Sequence, residues 1–247
     1  MCTLVILRRP GHAWPLILGA NRDEMIDRPW QEPGRHWPDR PEVVAGRDVL
    51  AGGSWLGLND FGVAAAVLNR HGSLGPAPGQ RSRGELVLEA LDHADAREAA
   101  AALKALEPKA YRTFNLVVAD NRDAYWLRHA DPSGTLPVSV NEIPPGLSML
   151  AAGDLNDETP RLVRYGPLFA AAAAPDPARE KFADWERLLN DGDGGQDSAM
   201  RFRTERGFAT VSSAIITLPS YVHGDERPRF RFAAHQPQAA PWHEIGL

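Results

Sequence analysis

The sequence has very little of what usually cross-links a small protein or binds a metal. Its 247 residues include one cysteine, Cys2, so no disulfide can form within the chain, and no cysteine and histidine cluster has the spacing of a zinc site. Its start lacks a basic segment followed by a sustained apolar stretch, so no secretory signal is evident. We therefore expect a cytoplasmic protein stabilised by a hydrophobic core.

Long apolar runs and an excess of positive charge are also missing. The longest candidate run, 170–174, is too short to cross a membrane and is followed by Pro175. The net charge is -5, and the Lys and Arg residues are scattered among acidic residues instead of forming a stripe that binds phosphates. We expect no membrane span and no nucleic-acid partner, and a small molecule as the ligand.

Alternating short apolar segments, turns and helical periods predict an α+β protein with antiparallel sheets, in one domain covering residues 1–247. The predicted strands are 3–8, 16–20, 52–58, 62–68, 113–118, 124–127, 136–140, 147–152, 213–218 and 229–233. The predicted helices are 84–91, 96–106, 160–173 and 178–189. Several prolines in 29–41 predict an ordered loop, and the polar stretch 191–197 predicts a solvated linker because its acidic spacing is not that of an EF-hand.

Cys2 carries the most specific chemistry in the sequence. If Met1 is removed, the thiol of Cys2 can attack a carbonyl and the freed α-amine, with an ordinary pKa of about 8, can accept the thiol proton. If Met1 stays, the amine belongs to Met1 and Cys2 is an ordinary thiol. A lone cysteine at the start of a strand is equally typical of a small buried hydrophobe.

Five motifs, in the same order along the chain, resemble the NRDE family, also called the transport and Golgi organisation protein 2 family. They are Met1-Cys2-Thr3, Gly19-Ala20-Asn21-Arg22-Asp23-Glu24 with Arg28-Pro29, Gly53-Ser54-Trp55-Leu56-Gly57, Arg83-Gly84-Glu85-Leu86 and Phe114-Asn115-Leu116. The resemblance implies the four-layer αββα sandwich of N-terminal-nucleophile hydrolases. The opening is also similar to bile-salt hydrolases and penicillin V acylases, in which an N-terminal cysteine attacks an amide and an aspartate orients its amine. The matching aspartate here is Asp23.

The same resemblance implies roles for further polar residues. Asn69 ends a segment similar to one in the acylases and would donate a hydrogen bond to the oxyanion, although asparagine is also typical of a strand-ending turn. The residues expected to bind substrate are Asn21, Arg22, Trp55, Arg70 and Asn115. Residues 21–24 taken by themselves are more typical of a polar turn that caps two strands. Asn115, inside an apolar strand, is either a structural hydrogen-bonder or a lining residue of the site.

Two features depart from the acylase pattern. No asparagine falls at the simplest aligned position for a second oxyanion donor in 146–160; Asp154 or Asn156 could substitute, but an ionised aspartate would repel an oxyanion. A later arginine of the acylases also has no clear counterpart, and the nearby candidates are Arg201, Arg203 and Arg206.

Two functions follow from these observations. In the first, Cys2 is the nucleophile of an amidohydrolase or acyltransferase that acts on a small amide or thioester and requires no cofactor or metal. In the second, the protein is a non-catalytic carrier, because the NRDE family is associated with intracellular haem trafficking and with lipid or acyl-CoA metabolism. Haem would then be a ligand, and Cys2, His71 or His223 would approach its iron. The sequence does not specify an oligomeric state.

Overall fold

The computed structural model describes residues 2–222, 226–236 and 238–247. The strands in these ranges are β1 (Thr3–Arg8), β2 (Leu16–Met25), β3 (Trp30–Gly34), β4 (Val43–Asp48), β5 (Leu56–Asn59), β6 (Ala64–Asn69), β7 (Phe114–Ala119), β8 (Ala124–His129), β9 (Ser139–Glu142), β10 (Gly146–Leu150), β11 (Phe208–Leu218), β12 (Arg229–Ala234) and β13 (His243–Glu244). The helices are α1 (Gly84–Leu91), α2 (Ala96–Lys104), α3 (Pro160–Ala171), α4 (Ala183–Leu189) and α5 (Gly195–Ser198). Short 3₁₀ turns occupy Pro108–Ala110 and Pro177–Arg179.

The chain divides into two compact units, each built on one antiparallel sheet. The first unit contains the residues up to Arg28 and Pro145–Gly246, and its strand order is β10-β1-β2-β11-β12-β13. The second contains Pro29–Pro144, with the order β3-β4-β5-β6-β7-β8-β9. The predicted class of α+β protein with antiparallel sheets is confirmed, whereas the single domain over 1–247 stays a prediction.

The first unit begins with the hairpin predicted around Arg9, Pro10 and Gly11. Thr3 lies opposite Asn21, and β2 runs beyond its predicted end at Ala20 because residues 21–25 pair with β11. Helices α3 and α4 cover one face of the sheet, where Trp185 is fully buried. A Cβ on Gly19 would lie 3.0 Å from the ring of Trp185, so glycine in β2 lets α4 pack closely.

The second unit packs α1 and α2 on its seven-stranded sheet. Helix α1 begins at Gly84 as predicted, and it approaches the chain so closely that a Cβ on Gly53 would lie 2.4 Å from the carbonyl carbon of Gly84. The proline-rich stretch predicted as a loop contains strand β3, which pairs with β4. Neither of these two strands was predicted from the sequence. Proline is tolerated there because β3 is at the edge of the sheet and its register shifts between Gln31 and Gly34.

Other boundaries differ by a few residues. Helix α4 starts at Ala183 instead of 178, after a 3₁₀ turn, and strand β9 starts at Ser139 instead of 136. The polar linker 191–197 includes the start of α5. Among the described residues, no helix is both long enough and apolar enough to cross a membrane.

Candidate active site

Cys2 lies directly before β1 and contacts the main chain of Asp23. Its Sγ accepts a hydrogen bond from the N–H of Asp23 at 3.3 Å, and the thiol lies 3.6 Å from the carbonyl oxygen of Asp23, to which it donates. This contact follows from the hairpin register: because Thr3 lies opposite Asn21, the residue before Thr3 lies beside residues 22 and 23. Cys2 and Asp23 thus lie at the same end of the β1–β2 hairpin, and their catalytic roles stay a prediction.

The carboxylate of Asp23 is fully buried, and the side chains that bind it include those of Arg161 and Thr210. Arg161 Nη1 lies 3.2 Å from Oδ2, and the hydroxyl of Thr210 donates to Oδ1 at 2.7 Å. The side chain of Asp23 is 0% exposed and that of Arg161 is 6% exposed. A buried carboxylate needs such partners, since an uncompensated charge in the interior is strongly unfavourable.

A β-bulge brings Thr210 to Asp23. In the β2–β11 ladder Arg22 lies opposite Ser212 and Asp23 lies opposite Thr210, so Val211 is the extra residue. Bulges of this kind redirect the side chains of the bulged strand. The carbonyl of Val211 turns to the chain after β12 and accepts the N–H of His235 at 2.8 Å.

Arg161, in the first turn of α3, connects several parts of the first unit. Besides Asp23, it donates to Thr3 Oγ1 at 2.9 Å and to the carbonyl of Gln196 at 3.2 Å, and its guanidinium lies 5.2 Å from the ring centre of Phe202. Sequence reasoning missed this residue. The available signal was a cation in the first turn of a helix, where the helix dipole disfavours positive charge.

The environment of Cys2 keeps its thiol protonated. Burial raises the pKa of Cys2 above its ordinary value of 9.0, and the Asp23 carboxylate raises it further. The hydrogen bond from the Asp23 N–H and the charge of Arg22 act in the opposite direction without reversing the shift. A thiol in this state needs a base before it can attack, because the thiolate is the nucleophile.

Asn21 is buried beneath the hairpin end. Its amide nitrogen donates to the carbonyls of Leu189, at 2.9 Å, and Met200, at 2.8 Å, and its oxygen accepts from Ser213 at 2.6 Å. The Met200 carbonyl also lies 3.3 Å from Thr210 Oγ1. Asn21 thus supports the strands that carry Asp23, and its predicted contact with substrate stays a prediction.

His235 extends this buried network. Its Nε2 lies 2.8 Å from Ser213 Oγ, and because the serine proton goes to Asn21, we assign the ring proton to Nε2. Burial, followed by repulsion from Arg201, lowers the pKa of His235 to about 4. The imidazole is therefore neutral at physiological pH.

The other residues considered near the hairpin end have local partners. Arg22 is buried and forms an ion pair with Glu24 at 3.9 Å. The side-chain oxygen of Asn156 accepts the N–H of Met149, and the main-chain carbonyl of Asp154 accepts the N–H of Asp157 at 3.2 Å.

Four of the residues predicted for the site belong to the second unit: Trp55, Asn69, Arg70 and Asn115. Asn69 ends β6, as predicted. Asn115 is fully buried, and its side-chain oxygen accepts from Arg70 Nη1 at 2.7 Å and from the indole of Trp126 at 3.1 Å. Trp55 stacks edge-on with Trp30 at a centroid distance of 5.9 Å. Asn115 thus makes structural hydrogen bonds, while its contact with substrate stays a prediction.

His71 is exposed in the turn after β6, while Met1 and His223 lie outside the described residues. In ranges 2–222, 226–236 and 238–247, no three residues among His, Cys, Asp and Glu cluster in a way that could hold a metal ion.

The sequence matches the model of a family described as Transport and Golgi organisation 2 over residues 1–222. A mouse protein, Transport and Golgi organization 2 homolog, is 36% identical over 116 residues, covering 44% of this chain and 40% of the mouse protein. The human homolog is 36% identical over 115 residues, with coverages of 44% and 40%. The alignments thus span about two fifths of the length of these curated relatives.

Three solved structures with a similar fold are named as a hydrolase, an acylase and an amidase. A variant of the conjugated bile acid hydrolase from Clostridium perfringens has a TM-score of 0.62 at 13% identity, covering 99% of this chain and 92% of that chain. Penicillin V acylase from Agrobacterium tumefaciens has a TM-score of 0.60 at 16% identity, with coverages of 99% and 86%. The Caenorhabditis elegans ortholog of N-acylethanolamine-hydrolyzing acid amidase has a TM-score of 0.59 at 12% identity, with coverages of 92% and 98%. At these identities the likeness shows the fold alone, and it confirms the predicted fold class, that of N-terminal-nucleophile hydrolases.

Proposed function

The chain belongs to the Transport and Golgi organisation 2 family, and from this premise we propose that it is an N-terminal cysteine amidohydrolase or acyltransferase acting on a small amide or thioester. The observation that carries the proposal is the contact between the Cys2 thiol and Asp23, whose buried carboxylate is held by Arg161 and Thr210. The solved structures of similar fold are named as hydrolases, an acylase and an amidase, and this supports the reaction class.

The proposed reaction starts with removal of Met1. The freed α-amine of Cys2 takes the thiol proton, and Sγ forms a bond to the substrate carbonyl carbon. The resulting oxyanion collapses and breaks the bond to the leaving amine or thiol, which takes the proton from the α-ammonium. Water then attacks the acyl-enzyme thioester to release an acid, or an amine attacks it to form a new amide.

Asp23 would orient the α-amine. An ionised carboxylate accepts hydrogen bonds and carries the charge opposite to an ammonium, so Asp23, which Arg161 and Thr210 hold in place, is suited to bind the α-ammonium. Arg161 and Thr210 would act as positioning residues through Asp23. Asn69 remains our proposed oxyanion donor; loss of one such donor slows acyl transfer by about 10²- to 10³-fold in comparable enzymes.

Covalent labelling tests the proposal. Because Cys2 is the only cysteine, any thioester adduct seen by intact-mass spectrometry reports on this residue alone. We expect mature protein lacking Met1 to form acyl adducts with a panel of penicillin V, a conjugated bile acid, an N-acylethanolamine and an acyl-CoA. Cys2→Ser should lose turnover and keep ligand binding.

A matched control separates self-activation from simple thiol reactivity. Insertion of one alanine between Met1 and Cys2 keeps the thiol but moves the α-amine to the preceding residue. We expect turnover to fall to the level of Cys2→Ala. Unchanged turnover would contradict the role of the amine.

The carrier function is the competing proposal. Tight haem or acyl-CoA binding that persists in Cys2→Ala, together with no adduct across the panel, would favour a carrier and overturn the enzyme. Under either proposal we place the protein in the cytoplasm, where reducing conditions keep a single thiol free.

A further inference from the structure

The outer edge of strand β10 is partly paired by a side chain. The N–H of Met149 donates to Asn156 Oδ1 at 2.8 Å, and the N–H of Asn156 donates to the carbonyl of Met149 at 2.8 Å. Asn156 therefore takes the place of one residue of an added strand. It holds a left-handed conformation, with φ of 58°, in doing so.

The same geometry leaves the next outward position open. In an antiparallel pair, alternate residues direct their N–H and C=O groups to opposite sides of the strand. Because Met149 directs both groups outward, Leu147 does so too, two residues earlier in the ladder with β1. Among the described residues, the main chain of Leu147 has no hydrogen-bond partner outside that ladder. Pro145, which has no N–H, limits the edge beyond it.

A groove of about 340 Å³ lies beside this edge, between β10 and α3. Its lining includes Leu147, Met149, Asn156, Asp157, Glu158 and Gly166. This volume falls within the range of about 300–1,000 Å³ that is usual for ligand pockets. Gly166 lines the groove, and a Cβ at this position would meet nothing within 4 Å, so a larger side chain can be introduced there without a clash.

We propose that this site, the β10 groove, binds a short extended peptide of a partner protein that carries an apolar residue flanked by basic residues. The peptide adds a strand to β10 and exchanges two main-chain hydrogen bonds with Leu147. The residue opposite Leu147 points to the same face of the sheet, which is the face packed against α3, so its side chain is apolar. The exposed carboxylates of Asp157 and Glu158 at one end of the groove attract the basic residues.

Charge favours this occupant over a second copy of the chain. Each copy carries a net charge of -5, and self-association through an edge with an acidic end would bring like charges together. A basic peptide complements both the groove and the whole chain.

Titration of ¹⁵N-labelled protein with the peptide Ac-Lys-Val-Lys-NH₂ tests the proposal. We expect amide shifts centred on Leu147 and Gly166. N-methylation of the valine removes the donor to the Leu147 carbonyl and should weaken binding about tenfold, the effect of one lost hydrogen bond. The peptide Ac-Glu-Val-Glu-NH₂ should bind more weakly still.

Two variants with a matched control complete the experiment. Leu147→Pro removes the outward N–H, and proline is tolerated on an edge strand such as β10. Gly166→Leu places a large side chain in the groove. Each variant should weaken peptide binding about tenfold or more. Ala171→Leu adds the same side chain on an exposed part of α3 that does not line the groove, and should bind like the unmodified protein. No shifts at millimolar peptide, equal binding of the N-methylated peptide, or a dimer that Leu147→Pro dissociates would each overturn the proposal.

Discussion

Replacement of Arg161 by methionine should destabilise the first unit strongly. The change keeps an unbranched side chain of similar length and removes the charge opposite Asp23. Asp23 Oδ2 then loses its partner at 3.2 Å and Thr3 Oγ1 loses a donor at 2.9 Å. Of the donors Arg161 and Thr210, the carboxylate would keep the Thr210 hydroxyl, at 2.7 Å.

The expected loss is about 3–5 kcal/mol in the free energy of unfolding, the usual effect of removing one partner of a buried ion pair. Two exposures justify a value in this range: the side chain of Asp23 is 0% exposed and that of Arg161 is 6% exposed. An exposed pair behaves differently. Arg179, whose side chain is 72% exposed, lies 3.6 Å from Asp176, and Arg179→Met should change stability by about 1 kcal/mol or less.

Urea unfolding followed by tryptophan fluorescence measures these differences. The double variant Arg161→Met with Asp23→Asn should be more stable than the sum of the two single effects predicts, because it no longer buries a carboxylate that has lost its guanidinium partner. An Arg161→Met protein within about 1 kcal/mol of the parent would refute the reasoning.

Three further predictions concern titration and buried hydrogen bonds. Because the pKa of Cys2 is raised, iodoacetamide should alkylate it more slowly than free cysteine at neutral pH, with a rate that still rises above pH 9.0; a fast reaction at neutral pH would contradict this. The pKa of His235 is lowered from 6.5 to about 4, so the unfolded chain binds more protons between these values. The contribution of His235 to the free energy of unfolding is fully present above pH 6.5 and falls by roughly 3 kcal/mol as the pH drops toward 4. His235→Gln should therefore flatten the pH dependence of the urea midpoint between these two pH values. Asn115→Leu removes the acceptor of Arg70 and Trp126 and should lower the melting temperature by an amount equivalent to about 1–3 kcal/mol, whereas Asn115→Asp should lower it less.

The sequence predicted local structure best where partners are close along the chain. The β1–β2 hairpin, helix α1 and the β7–β8 hairpin depend on nearby turn residues and apolar periods, and the structure has them. The contact of Cys2 with Asp23 follows from the first of these hairpins. Strand β2 was predicted to end at Ala20, where the apolar segment gives way to the polar residues Asn21 to Glu24.

The structure differs where distant residues supply the missing partners. The amide of Asn21 bonds to Leu189 and Met200, and the carboxylate of Asp23 bonds to Arg161, 138 residues later. These partners make polar residues stable inside a strand, and local propensity contains no information about them. For the same reason, Arg161 could not be chosen from its neighbours in sequence.

The bulge at Val211 has a consequence for shortened versions of this polypeptide. Its carbonyl anchors the backbone of His235, whose ring bonds to Ser213. A protein that stopped after Leu218 would lose β12 and β13 and would leave the long strand β11 with an open, aggregation-prone edge next to the hairpin of Cys2. Residues 229–236 are therefore an integral part of this half of the molecule, and trimming them would expose β11 to non-native strand pairing.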